Sequence, residues 1–292
     1  MRIRQYIEDL EQRLMQSDLS YGHGTDNPAD DAWYLVLQTL DIGFDCNPTE
    51  LQRDLERQEL ALLESRVKQR IDEKLPVAYV VGEAWFAGHS FKIDKRALIP
   101  RSPIAELIEN GFRPFLKSKA ERVLDLCSGS GCIGIACALK FPDALVDLAD
   151  VSHEALLLAQ ENVDRYGLRN RVQTIESNLF GMLERTYDLI ICNPPYVSAE
   201  EIAGLPQEYH HEPVMGLLSE GNGLEIPLEI LSKAADYLAQ DGVLIMEVGY
   251  SRHALGDRVP QVPFLWLEFE RGGEGVFMLS RSQLLKYRDC FI

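Results

Sequence analysis

Apolar positions in the first 75 residues recur at helical spacing. Ile3, Tyr6, Ile7, Leu10 and Leu14 are three or four residues apart, which puts them on one face of a helix. Trp33, Leu35, Val36, Leu37 and Leu40 form a second helix-sized cluster. A third, with Leu55, Leu60, Leu62, Leu63 and Val67, opens at Thr49-Glu50 behind Pro48. Tyr21-Gly-His-Gly-Thr-Asp-Asn-Pro28, between the first two, has turn chemistry throughout. Pro76 ends this helical part, and Val77 to Phe91 mixes apolar, aromatic and Gly residues in the manner of short strands or a hairpin. Ile99-Pro-Arg-Ser-Pro103 follows as a stiff extended connector, since each Pro fixes its own φ and biases its neighbour. A helix is expected over Ile104–Phe112.

From Arg122 the pattern changes to apolar strands alternating with helices. Strands are expected at Arg122–Cys127, Leu145–Asp150, Val172–Glu176, Tyr187–Cys192 and Val243–Val248, and helices at Ile133–Lys140, Ser152–Tyr166 and Ile226–Ala239. That alternation implies an α/β fold, a mostly parallel sheet with helices on both faces. Phe264–Phe269, Arg271-Gly-Gly-Glu-Gly275 and Val276–Leu279 read as a terminal hairpin that adds an antiparallel strand. Trp33, Trp85 and Trp266 sit among apolar neighbours and are expected in the core, with Trp85 a possible lining of a substrate path.

Composition narrows the class. The 292 residues are 46% hydrophobic and 26% charged, as in an ordinary globular protein. Residues 1–20 lack a signal-peptide apolar core, and no apolar run is long enough to cross a bilayer, so a cytoplasmic protein without membrane contact is expected. The net charge is −17; residues 1–75 hold 9 Lys+Arg against 16 Asp+Glu, so the acidity is shared along the chain. Duplex-DNA binders need a Lys/Arg surface, whereas an acidic surface suits a basic protein partner. Cys46, Cys127, Cys132, Cys137, Cys192 and Cys290 form no Cys-x-x-Cys pair and read as small hydrophobes in a reducing compartment. His210-His211-Glu212 invites a metal reading, but adjacent side chains point apart and no third ligand is placed; no metal is expected.

Two stretches carry chemistry. Val123-Leu-Asp-Leu-Cys-Ser-Gly-Ser-Gly-Cys-Ile-Gly134 is a strand, a small-residue loop and a helix start, with Gly129, Gly131 and Gly134 spelling G-x-G-x-x-G. Asp150 ends the next strand, where its carboxylate could accept both hydroxyls of a ribose. Nicotinamide enzymes share this fingerprint. Asp125 inside the strand end favours a methyl donor, because a carboxylate there suits an amino-acid moiety better than a pyrophosphate. The second stretch, Tyr187-Asp-Leu-Ile-Ile-Cys-Asn-Pro-Pro-Tyr196, is an apolar strand ending in Asn193-Pro194-Pro195-Tyr196. Ligands of open α/β sheets bind at the carboxyl ends of strands, so this turn should face the glycine loop. The prolines remove two donors and leave the Asn193 side-chain oxygen and the Pro194 carbonyl as acceptors for one planar NH2 group. Tyr196 could lie against a flat substrate.

At these residues the chain resembles the protein-glutamine methyltransferases, through the glycine loop, Asp150, Asn193–Tyr196 and the terminal Gly-Gly-x-Gly-Val-Phe hairpin. The resemblance covers nearly the whole chain. It implies a class I S-adenosylmethionine-dependent methyltransferase fold, Rossmann-like, with a helical substrate-recognition domain over 1–76, a hairpin and linker over 77–103 and a catalytic domain over 104–292. It also implies S-adenosyl-L-methionine as cofactor, bordered by Asp125, Cys127, Ser128, Gly129, Ser130, Gly131, Asp150, Val151, Asn178, Leu179 and Asn193. Asn193, Pro194, Pro195 and Tyr196 would hold the glutamine amide. Asn178 stands where the family usually has Asp near the adenine, which keeps an acceptor and loses a charge. Within the family, Tyr21–Asn27, Ala84-Trp-Phe86, Arg101–Glu106 and Glu208–Pro213 look like the branch that modifies large-subunit ribosomal protein three, a basic partner. The competing readings are modification of peptide chain release factors, methylation of an exocyclic adenine amine, and a non-catalytic assembly factor. Direct nucleic-acid recognition is not expected on the acidic charge.

Overall fold

The structure, a computed structural model, describes residues 1–116 and 119–292. Three helices open the chain: α1 (Ile3–Met15), α2 (Pro28–Thr39) and α3 (Arg57–Ile71). All five periodic residues of α1 are buried. Asn27 caps α2 by accepting from the Asp30 amide at 3.0 Å, with Pro28 at the first helical position. The third helix starts later than Thr49-Glu50. Residues Glu50–Gln52 make a 3-10 turn, and the chain then pairs with the N-terminus, Ile3 N donating to Arg53 O and Leu55 N to Met1 O.

Helix α4 (Val77–Val81) replaces the strand expected after Pro76; a short apolar run does not separate buried helix from buried strand. The hairpin follows as β1 (Glu83–Phe86) and β2 (His89–Lys92), joined at Ala87-Gly88, both at positive φ, the two-residue turn that matches strand twist. Trp85 is 45% exposed, because strand alternation buries its neighbours Ala84 and Phe86. Trp33 is 38% exposed, so both leave the core expected of them, whereas Trp266 packs against Phe264 and Phe277. Helix α5 (Ile104–Glu109) is shorter than its apolar pattern.

The remaining elements are β3 (Arg122–Leu126), α6 (Cys132–Lys140), β4 (Leu145–Asp150), α7 (His153–Arg165), β5 (Val172–Glu176), β6 (Tyr187–Cys192), α8 (Ala199–Gly204), α9 (the distorted turn Glu220–Gly223), α10 (Glu225–Lys233), β7 (Leu238–Glu247), α11 (Arg252–Arg258), β8 (Leu265–Trp266), β9 (Val276–Ser280) and α12 (Arg281–Tyr287). Strands run in the order β5-β4-β3-β6-β7-β9-β8, parallel except for β9, which is antiparallel to both neighbours. This is the class I methyltransferase sheet, with the terminal hairpin contributing its antiparallel strand. Helix α10 stops before Ala239 because Ala234–Asp236 tighten into a 3-10 turn and Leu238 already pairs with Tyr187. Helices α11 and α12 carry too little periodic pattern to be expected from sequence.

One apolar cluster packs α5, α6 and α7 on one face of the sheet, and another packs α10 and α12 on the other. A third joins the N-terminal helices to Ala155 and Leu158 of α7, so the helical part is seated on the sheet domain.

Candidate active site

The glycine loop takes its shape from residues that tolerate crowding and positive φ. Gly129 and Gly131 have φ of +53° and +77°, and Cys127 adopts +61° despite its side chain. At Gly134 an added Cβ would lie 2.2 Å from Leu148 Cδ2 and 2.9 Å from Asp125 Cβ, so this glycine lets α6 approach β3 and β4. Asp125 is fully buried beneath the loop, its Oδ2 accepting from the Gly134 amide at 2.7 Å. Burial, and secondarily the charge of Asp150, pushes its carboxyl up to about 7. Asp150 faces the loop from the end of β4. Its Oδ2 accepts from Gly129 N at 2.8 Å and its Oδ1 from Ser152 N at 2.9 Å. Burial raises this carboxyl too, against those amide bonds.

Asn162 on α7 was not singled out by sequence. Its buried amide donates to Ser130 O at 3.0 Å and Lys92 O at 3.1 Å and accepts from Lys92 N at 2.8 Å. It therefore fixes the glycine loop to the chain leaving the hairpin. A polar residue in the apolar stripe Ala155, Leu158, Ala159, Val163 was the available signal.

A cleft of about 280 Å³ opens over these strand ends. Cys127, Ser128, Gly129, Ser130, Asp150, Val151, Asn178, Leu179, Asn193 and Pro195 line it, whereas Asp125, Gly131, Pro194 and Tyr196 are not part of its lining. Leu179 has φ +49°, a second strained non-glycine residue at the cleft. Asn178 is exposed, and its carbonyl accepts from Gly181 N. Ser128 Oγ is buried without a partner, which suits a polar ligand on the loop.

Tyr196 is held rather than free. Its hydroxyl donates to Glu247 Oε1 at 3.1 Å, its carbonyl accepts from Ser251 Oγ at 2.8 Å, and its ring covers Gly249, where a Cβ would lie 2.7 Å from Cε2. These contacts make it an anchor of the turn.

The wall opposite the glycine loop comes from Arg101, Ser102, Pro213, Met215 and Gly216. Behind it lies a buried charged cluster that also uses the helical part. Arg101 donates to both oxygens of Glu212, at 2.7 and 3.1 Å. His23 Nε2 is 3.4 Å from Glu212 Oε1 without hydrogen-bond geometry, and its ring meets Tyr209 at 4.1 Å. Burial, with Arg101 and Arg70 nearby, pushes the His23 imidazole down to about 3, so it is neutral. Arg70, 2% exposed, bonds Asp31 Oδ2 at 2.6 Å and Ser20 O at 2.9 Å, with Glu208 at 3.5 Å. Ser20 N donates to Glu208 at 2.7 Å. The turn Tyr21–Asn27 and the segment Glu208–Pro213 thus meet at one place. Among the described residues no group of His, Cys, Asp and Glu is arranged to hold a metal, and all six cysteines are free, three of them half-buried.

Residues 112–209 match the family model of the methyltransferase small domain. A ribosomal protein uL3 glutamine methyltransferase from Francisella tularensis is 41% identical over 292 residues, covering 99% of this chain and 93% of that protein. One from Xanthomonas campestris is 46% identical over 277 residues, covering 94% and 90%. With identity of this level over nearly the whole chain, the chain belongs to the family of ribosomal protein uL3 glutamine methyltransferases.

Proposed function

We propose that this enzyme transfers a methyl group from S-adenosylmethionine to the side-chain amide nitrogen of a glutamine in ribosomal protein uL3. The observation that carries the reading is a shared cleft. Asn193 and Pro195 of the turn, Cys127–Ser130 of the glycine loop and Asp150 all border one space at the carboxyl edge of the sheet.

The residues present fit the cofactor. Asp150 would take the ribose hydroxyls, because its carboxylate lines the cleft and keeps acceptor capacity beyond its amide bonds. Cys127, Ser128 and Ser130 would border the amino-acid part, and Val151, Asn178 and Leu179 the adenine. When bound, the cofactor supplies an electrophilic methyl on a sulfonium. Asn193 and the Pro194 carbonyl would accept the two N–H bonds of the glutamine amide and aim its nitrogen. That nitrogen is a poor nucleophile because its lone pair is delocalised. As it attacks, positive charge grows on it and its protons become stronger donors. The two acceptors therefore stabilise the transition state more than the ground state. No general base is needed, since the methylated nitrogen loses a proton afterwards.

The helical segment 1–76 serves as the substrate-recognition domain in this reading. It carries much of the acidic charge and seats against the cleft wall, an arrangement suited to a basic ribosomal protein. Direct contact with nucleic acid is not part of it.

The test is mass spectrometry after incubation with methyl-labelled donor and either purified uL3 or a peptide chain release factor. One methyl on a uL3 glutamine is expected. Label on the release factor alone would overturn the substrate, and label on neither would overturn the reaction.

A further inference from the structure

Glu247 ends β7 with its two carboxylate oxygens committed to two different segments, the Asn193–Tyr196 turn and the connector before α5. Oε1 accepts from the Tyr196 hydroxyl at 3.1 Å, and Oε2 accepts from the Ser102 hydroxyl on the connector that precedes α5. The residue is buried, 6% exposed. Its surroundings allow no slack. Gly249, two residues on, lies under the Tyr196 ring, and a Cβ at Gly275 would fall 2.1 Å from Gly249 O. A Cβ at Gly223 would fall 2.1 Å from the Tyr196 carbonyl oxygen. The turn that carries Asn193 is thus boxed in by glycines and held by the Glu247 carboxylate and the Ser251 hydroxyl.

We propose that Glu247 is a positioning residue for methyl transfer: it ties Tyr196 to Ser102 and thereby sets the aim of the Asn193 and Pro194 acceptors. This rests on the reading above that those acceptors hold the substrate amide. Glu247 is not part of the cleft lining and has both oxygens bonded to Tyr196 and Ser102, so it acts through them.

The protonation state matters to the device. Both hydroxyls donate, so the ionised carboxylate accepts two bonds, whereas the protonated acid must turn one oxygen into a donor. Burial pushes the carboxyl up to about 7, against the bonds from Ser102 and Tyr196 and the nearby charge of Arg101. The titratable and charged groups facing it are Tyr196 from the turn and Arg101 from the connector; Val276, opposite it on β9, brings none. The ionised clamp therefore forms as pH rises through about 7 and loosens as pH falls.

Two measurements test this. The first needs no substrate: the carbon-13 carboxyl resonance of Glu247, assigned by its loss in Glu247→Gln, is titrated in the wild type, Tyr196→Phe and Ser102→Ala. Each variant removes one donor to the carboxylate, so its midpoint should rise. Unchanged midpoints in both would overturn the clamp, whatever the substrate proves to be. The second compares kcat, KM and donor affinity. Glu247→Gln should bind S-adenosylmethionine within twofold of wild type, lose about tenfold or more in kcat, and lack the rise in kcat through pH 7 expected of the wild type. A Glu247→Gln enzyme with wild-type kcat and the same pH profile would overturn the proposal. Failure of wild-type enzyme to label uL3 would instead count against the substrate reading.

Discussion

Replacing Arg70 by Met tests the junction of the helical part and the cleft wall. The methionine fills much of the same space but leaves Asp31, 1% exposed, facing Tyr21 and Thr25 without its cation. Burial already raises the Asp31 carboxyl despite Arg70, so desolvation outweighs attraction even in the intact pair. The pair is therefore not a source of net stability by itself, yet breaking one side of it is costly. Removing one partner of a buried pair typically costs about 3–5 kcal/mol. At about 2–4 °C per kcal/mol for large domains, the melting temperature should fall by roughly 6–20 °C. The sign with pH follows. Without Arg70 the Asp31 carboxyl rises further, and a group whose folded-state pKa is raised gives stability below its unfolded pKa that is lost as pH rises through the folded one. The deficit of Arg70→Met should shrink toward acid pH. Arg70→Met with Asp31→Asn should recover part of the loss, because the charge on Asp31 is gone while buried Glu208 keeps the Ser20 amide as its partner. Equilibrium urea unfolding at two pH values, alongside calorimetric melting, reads all three numbers. A loss below about 1 kcal/mol, or a double variant no better than the single, would refute the reasoning.

Asn193→Ala should lower kcat by about 100- to 1,000-fold, matching the roughly 2.7–4 kcal/mol of one lost transition-state hydrogen bond, with donor affinity by calorimetry near wild type. Near-normal turnover would remove Asn193 from the reaction. Asp150→Ala should weaken donor binding by tenfold or more, since each charge-assisted bond is worth about 1.5–3 kcal/mol; unchanged calorimetric affinity would take it off the ribose. Gly134→Ala should cost about 1–3 kcal/mol in urea unfolding, because overpacking forces Leu148 and Asp125 to shift. A neutral result would mean that α6 moves without cost.

The parts of the molecule legible in the sequence are those written in contiguous residues. Strands β4, β5 and β6 fall on their apolar runs, and the glycine loop and Asn193–Tyr196 each occupy a short stretch at a strand end. What joins them was not legible, because it is made of pairs far apart in the chain. Ser102 and Glu247 are separated by 145 positions, Arg101 and Glu212 by 111, Lys92 and Asn162 by 70. Periodicity has no access to such pairs. Composition hints at them only where a polar residue interrupts an apolar face, as Asn162 does in α7. Trp33 and Trp85 mislead for the opposite reason: apolar neighbours in sequence say nothing about which face of a strand or helix a side chain takes.

The three carboxylates along the carboxyl edge of the sheet show why identical chemistry in the sequence gives different roles. Asp125, Asp150 and Glu247 all terminate or nearly terminate an apolar strand, and burial raises all three. A carboxylate offers about four acceptor positions, and what remains after local bonds decides its part. Asp125 gives one oxygen to the α6 amide of Gly134 and buries the other, so its work is to hold helix against strand. Glu247 divides its oxygens between the hydroxyls of Tyr196 and Ser102, so its work is to hold the turn and the connector in register. Asp150 spends one position per oxygen on the amides of Gly129 and Ser152 and still lines the cleft. It alone of the three combines a fixed orientation with acceptors left for a ligand, and on that ground it is the one whose loss should be felt first in cofactor affinity rather than in stability or turnover.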